Sequence, residues 1–142
     1  MIYSYSTSDQ TVAVNATILF DDNGVVSGRC SIHSAGTGTF SLNGPGYYLV
    51  HFNGDVSAAA AGDVVAQLYV NGEIYEGAEA TTTITTATTE IDNIGFETIV
   101  KVLPNCCAID GNVPATLTIR NTGIEALRIL ISPAFSNISG LY

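Results

Sequence analysis

Apolar and polar residues alternate with a period of two along most of this chain, the signature of β-strands with one face buried. No stretch long enough for a helix carries a 3.6-residue apolar repeat. The helix-friendly tract Ser57-Ala58-Ala59-Ala60-Ala61-Gly62 is short, lies between two strand patterns and reads as a loop. Thr11 to Phe20 predicts a long strand, with Val12, Val14, Ala16, Ile18 and Phe20 on one face. Asp21-Asp22-Asn23-Gly24 predicts a turn, with Gly24 supplying the positive φ. Val25 to His33 predicts a second strand, Ser34 to Gly38 a flexible connection, and Thr39 to Asn43 a short strand ending at Gly44-Pro45-Gly46. The strand that follows, Tyr47 to Val56, sets Tyr48, Val50 and Phe52 on one face and Tyr47, Leu49 and His51 on the other.

Farther along, Val64 to Val70 and Glu73 to Tyr75 flank Asn71-Gly72, the strongest short-range hairpin signal, because a type I′ turn needs φ > 0 at both positions. That turn predicts Val70 opposite Glu73 and Leu68 opposite Tyr75. Ala80 to Ile91 is mostly threonine, so at least one of its faces must meet water or another chain. Gly95 to Leu103 is apolar again, Asp110-Gly111-Asn112 is a turn, and Ala115 to Arg120 sets Leu117 and Ile119 opposite Thr116, Thr118 and Arg120. After Asn121-Thr122-Gly123, the strand Glu125 to Ser132 aligns Leu127, Ile129 and Ile131. About eight to ten strands with turn signals every 8–12 residues predict an all-β, single-domain antiparallel sandwich of the jelly-roll type. Residues 1–9 read as an N-terminal arm or first edge strand, 10–135 as the jelly roll, and 136–142 as a polar C-terminal tail. Its predicted core includes Tyr48, Val50, Phe52, Leu117, Ile119, Leu127 and Ile129.

The motif Phe40-x-Leu42-x-Gly44-Pro45-Gly46-x-Tyr48-x-Val50-x-Phe52 resembles that of the complement-head and tumour-necrosis-factor jelly-roll superfamily. Downstream, Leu68-Tyr69-Val70-Asn71-Gly72 and Leu117-Thr118-Ile119-Arg120-Asn121 continue the likeness, which spans roughly residues 10 to 133. The Thr-rich strand, the Ala-rich loop, the Cys-Cys pair and the short chain are most similar to the phage and spore-surface branch. That resemblance implies a compact homotrimer packed around a three-fold axis. The chain has no Gly-x-y repeat before the head and no fibre shaft, which points to a stand-alone decoration or head-fibre protein.

Composition narrows the functional classes. Charged residues make up 12% of the chain and hydrophobic residues 46%, too apolar for disorder and poor in charge for the surface of a lone domain. The net charge is −9, and the cations are Arg29, Lys101, Arg120 and Arg128, which excludes nucleic-acid binding. No apolar run reaches the ~20 residues of a membrane span, and the N-terminal residues lack the basic and apolar regions of a signal peptide. A start at Met1 fits a complete or nearly complete small protein. Cys30, Cys106 and Cys107 are an odd count without metal-ligand spacing, so buried reduced thiols are expected. Spacing does not decide for or against a vicinal bridge, or one from Cys30 to either neighbour.

No cofactor or metal site is expected. Asp21-Asp22-Asn23-Gly24 lacks the ligand spacing and distal Glu of a calcium loop. The threonines from Thr81 to Thr89 read as a solvated or inter-subunit strand rather than an ice- or sugar-binding array. His33 and His51 read as structural or surface residues, since no nucleophile with an orienting acid is placed beside either. Tyr47, Leu49, Tyr69 and Tyr75 are the candidate trimer-interface residues, as outward aromatics on a charge-poor sheet. The expected function is that of a non-enzymatic structural virion protein: a homotrimeric capsid decoration or head-fibre protein of a bacteriophage. It would sit on the virion surface, docked on a major capsid or fibre protein, with Met1 to Asp9 as its anchor. The alternative is a receptor- or carbohydrate-binding head, on a phage fibre or a bacterial or spore surface, that touches host glycans.

Overall fold

The computed structural model describes residues 1–104 and 114–130, together with the backbone strand Phe135–Leu141. The expected turn at Asp110 to Asn112, the thiols Cys106 and Cys107, and Ile131 lie outside the described residues. Those that are described form twelve strands and no helix: β1 (Ile2–Tyr5), β2 (Gln10–Val12), β3 (Asp22–Val26), β4 (Ser31–His33), β5 (Phe40–Leu42), β6 (Gly46–Ala58), β7 (Gly62–Val70), β8 (Glu73–Ile84), β9 (Asp92–Val102), β10 (Ala115–Asn121), β11 (Leu127–Ile129) and β12 (Phe135–Leu141). Because β11 and β12 pair with successive parts of the same edge of β6, the architecture has about eleven independent positions.

Two antiparallel sheets face each other. The first runs β2-β11-β6-β12-β1-β3, with β9 along the opposite edge of β6. The second runs β4-β5-β10-β7-β8. Tyr48, Val50 and Phe52 from the first sheet meet Leu68, Leu117 and Ile119 from the second, and Leu127 and Ile129 lie in the same core. Their alternation along each strand follows from the pleat, which turns every second side chain inward.

Pro45 follows Gly44 at the corner that leads into β6. A Cβ on Gly44 would stand 2.9 Å from Cys30 Sγ and 3.3 Å from the Tyr48 hydroxyl, so glycine is there for space. The Tyr48 hydroxyl donates to the Gly44 carbonyl at 2.7 Å and ties the corner to the strand it opens. In the next hairpin, Asn71 and Gly72 have φ of 52° and 83°, as a type I′ turn requires, and Val70 pairs with Glu73. The register then breaks. Between the pairs Tyr69–Ile74 and Gln67–Glu79, β7 contributes Leu68 alone and β8 contributes Tyr75 to Ala78. Leu68 therefore does not lie opposite Tyr75 as the turn predicts. Side-chain amide chemistry closes the bulge: Gln67 Nε2 donates to the carbonyls of Leu68, Tyr75 and Ala78 at 3.0–3.1 Å.

Several sequence-based expectations need correction. Thr11 to Phe20 is not one strand. Asn15 adopts φ of 66°, and past it the chain crosses between sheets, from pairing with β11 to hydrogen-bonding Ile119. Val14 is consequently exposed, while Ile18 and Phe20 remain buried. Asp22 to Gly24 belongs to β3 rather than to a turn, and Gly24 has no positive φ. Its missing Cβ makes room for the Tyr3 ring, which would lie 2.8 Å away. Val25 to His33 is divided by the crossover from β3 to β4. The Thr-rich strand ends at Ile84, where Glu90 caps the following turn by accepting from the N–H groups of Thr85 and Thr86. Residues 2–5 form neither an arm nor an edge strand, and 135–141 is a paired strand rather than a tail. β1 lies between β12 and β3, and 135–141 pairs with both β6 and β1.

Candidate functional site

The outward side of the first sheet is apolar at one end. The β6–β9 register sets Tyr47 beside Lys101, Leu49 beside Ile99 and His51 beside Glu97. Tyr47 is 51% exposed and Ile99 50%, with Leu49 half-buried between them. Lys101 Nζ lies 5.6 Å from the centroid of the Tyr47 ring, a cation–π contact that leaves the ring edge to solvent. Polarity rises along the same strands, through His51 and Glu97 (3.7 Å apart) to a cluster in which Asn93 donates to Asn53 and Asp55.

The second sheet turns a different surface outward. Tyr69 pairs with Thr118 and Ile74, and in the neighbouring row Arg120 pairs with Gln67 and bridges to Thr17. The Arg120 guanidinium lies 4.4 Å over the Tyr69 ring, and its Nε is buried without an acceptor. Thr17 is its bridge partner and Thr118 and Thr122 lie two residues to either side of it along the chain, all three half-buried.

The four candidate interface residues therefore do not form one patch. Tyr47 and Leu49 lie on the outer face of the first sheet, and Tyr69 on the outer face of the second. Tyr75 packs partly against the core at the side of the sandwich where β8 and β9 are the edge strands, and its hydroxyl donates to the Ile99 carbonyl at 2.7 Å. Sequence reasoning missed Ile99 and Arg120. Ile99 shares its face with Glu97 and Lys101, and the period-two alternation of those charged residues with Val100 and Val102 is the signal that marks it as outward. Arg120 alternates correctly with Leu117 and Ile119, but its stacking on Tyr69 depends on the β10–β7 register.

His33 is buried at the seam of β1, β3 and β4. Its Nδ1 is 2.6 Å from Asn23 Oδ1 and 3.3 Å from Ser4 Oγ, its Nε2 is 2.9 Å from the Thr37 carbonyl, and its ring stacks on Phe40 with centroids 4.2 Å apart. Burial lowers the imidazole pKa below its ordinary value, and the Thr37 carbonyl opposes that shift. Ser4 is 0% exposed and donates to Asn23, so the trio forms a polar lock inside the fold. Asp21 accepts from the Thr7 N–H and from the hydroxyls of Thr7 and Ser8, which pull its carboxyl below the usual range, chiefly through the Thr7 backbone bond. Among the described residues no three His, Cys, Asp or Glu side chains group closely enough to hold a metal ion. Of the Thr run, Thr81 and Thr83 face outward beside Glu79 and Asp63, whose carboxylates accept from them, while Thr82 donates to Asp92 across the open edge of the sandwich.

No protein-family profile matches the sequence, and neither does any curated protein. The fold, by contrast, has clear counterparts. It is similar to Eiger TNF from S. frugiperda, with a TM-score of 0.73 at 10% identity over 99% of this chain and 91% of that one. The globular domain of zebrafish complement 1qA matches with a TM-score of 0.68 at 12% identity, over 99% and 96% of the two chains. Murine APRIL matches with a TM-score of 0.66 at 8% identity, over 99% and 98%. The class is therefore an all-β jelly roll of the tumour-necrosis-factor and complement-1q type, as the Phe40 to Phe52 motif suggests.

Proposed function

We propose that this chain is a self-assembling, non-enzymatic structural protein: a homotrimeric jelly roll that decorates the capsid or forms the head fibre of a bacteriophage. The observation that carries the self-assembly is the apolar end of the first sheet, where Tyr47 and Ile99 are each about half exposed on a chain with only 12% charged residues. The likeness of fold and motif to the tumour-necrosis-factor superfamily supports three copies rather than two. The phage assignment rests on the Thr-rich strand and the Ala-rich stretch. Met1 to Asp9 is not the anchor in this reading, because Ile2 and Ser4 are buried and β1 is an interior strand. Docking on a capsid or fibre protein falls instead to the outer faces. Mass spectrometry of purified particles grown from the genome that encodes the chain tests the virion role: the protein should be present in stoichiometric amounts, and its absence refutes the role.

A second reading, a receptor- or glycan-binding head, is favoured by one feature. Arg120 is held on Tyr69 among threonine hydroxyls on the outer face of the second sheet, away from the apolar end of the first.

A further inference from the structure

We propose that the outer face of β10 and β7 around Arg120 is a binding site for a carboxylate-bearing sugar. The inference rests on the second reading above and adds the ligand class and the residues. It starts from the way the chain uses its few cations. The net charge is −9. Arg128 pairs with Asp9 at 2.9 Å, and Lys101 lies over Tyr47. Arg120, like Arg29 and Lys101, has no carboxylate partner among the described residues although the protein holds thirteen acidic side chains; what sets it apart is a guanidinium held over an aromatic ring with its Nε buried. The acid in its own cross-strand row is Glu79, reached through Arg120–Gln67 and Gln67–Glu79. Two strand spacings put Glu79 roughly 9–10 Å away. Its carboxylate instead accepts from Thr81.

Arg120 is half-buried and its guanidinium holds no anion among the described residues, so it is free to take one. The Tyr69 ring, 4.4 Å from the guanidinium carbon, restrains the fork, and Nε is sealed from solvent. The two terminal nitrogens are then pre-oriented to meet a planar anion end-on, which is the geometry of a bidentate carboxylate contact. Pre-orientation lowers the ordering cost of that contact. Thr17, Thr118 and Thr122 supply hydroxyls that both donate and accept, matching the hydroxyls of a sugar ring. Repulsion by the acidic chain disfavours highly charged polyanions, so a singly charged sugar acid in a mostly neutral glycan is the class that fits.

Titration of the assembled protein with sialyllactose and with lactose, followed by calorimetry or ligand-observed NMR, tests the assignment. Wild type should bind sialyllactose and not lactose. Arg120→Gln should weaken binding at least about tenfold, the scale of a lost charged hydrogen-bond pair, and Arg120→Lys should fall between. Tyr69→Leu should weaken binding while keeping the charge. Circular dichroism and solution mass identify any variant that fails to fold or assemble. Equal binding of both sugars overturns the carboxylate class but leaves the glycan-binding reading standing. Sialyllactose binding that Arg120→Gln leaves unchanged overturns the site. No binding of either sugar at 10 mM ligand, a concentration on the order of weak single-site glycan affinities, overturns the site and the reading together.

Discussion

Gln67→Met tests how the bulge in the β7–β8 hairpin is stabilised. Gln67 is 5% exposed, and its amide nitrogen reaches the carbonyls of Tyr75 and Ala78 at 3.0 Å each and that of Leu68 at 3.1 Å. The amide has two protons for three oxygens, so at least one bond is shared. The bulge removes Tyr75 and Ala78 from the ladder, and without the amide their carbonyls lose the partner described here. A buried carbonyl left unsatisfied costs about 1–3 kcal/mol. Two such groups, partly offset by the easier burial of an apolar side chain, give a net loss of about 2–4 kcal/mol. For a chain of this size that corresponds to a fall in Tm of roughly 6–15 °C. Urea unfolding at several protein concentrations reads the effect: the midpoint should fall with an unchanged slope. If Gln67→Met unfolds within about 0.5 kcal/mol of wild type, a margin typical of a neutral surface change, the bulge carbonyls are satisfied otherwise and the reasoning fails.

Tyr48→Ala should lower stability by about 3–5 kcal/mol, because the ring is 1% exposed and its loss leaves a core cavity; a change below about 1 kcal/mol in urea unfolding would contradict the core assignment. Deleting Met1 to Asp9 should abolish cooperative unfolding by circular dichroism, since it removes an interior strand and the buried Ile2, whereas a folded truncation would return the segment to the role of an arm. Acid should expose the His33 lock. Its folded pKa is depressed, so below the ordinary imidazole value of about 6.5 the unfolded state binds more protons. Stability should be fully present above that pH and fall as the pH drops through it. The fall should disappear in His33→Gln, and an unchanged profile in that variant would assign it to another group.

The fold was legible where the alternation had a single owner. Tyr47 to Phe52 and Thr116 to Arg120 each belong to one strand in one sheet, so a period of two sorts their faces. It misled where the chain changes sheets. Thr11 to Phe20 keeps its apolar spacing across a crossover, because both sheets need inward residues there, yet Asn15, with φ of 66°, interrupts the strand; in Val25 to His33, Gly28 at φ of 90° interrupts it, and the apolar Val25, Val26 and Ile32 face outward while Ser31 and His33 are buried. The tail hid its strand for another reason: Ser136 to Gly140 is polar, and its pairing with β6 is made by backbone groups, which side-chain pattern does not report. The candidate surfaces were half legible. Tyr47 and Leu49 follow from facing Tyr48 inward, but joining Tyr69 to them required knowing which sheet it is in, and the topology puts it in the other. Arg120 over Tyr69 is a contact between strands far apart in the chain, and no spacing rule reaches it.

Self-assembly is the central claim, and the mass of the protein in solution tests it most directly. Multi-angle light scattering across a dilution series should return three times the chain mass of 14.8 kDa, about 44 kDa, stable on dilution. Tyr47→Asp together with Ile99→Asp should shift that mass toward the single chain while the circular dichroism spectrum is kept. A wild-type protein that elutes folded at 14.8 kDa at every concentration would contradict the account.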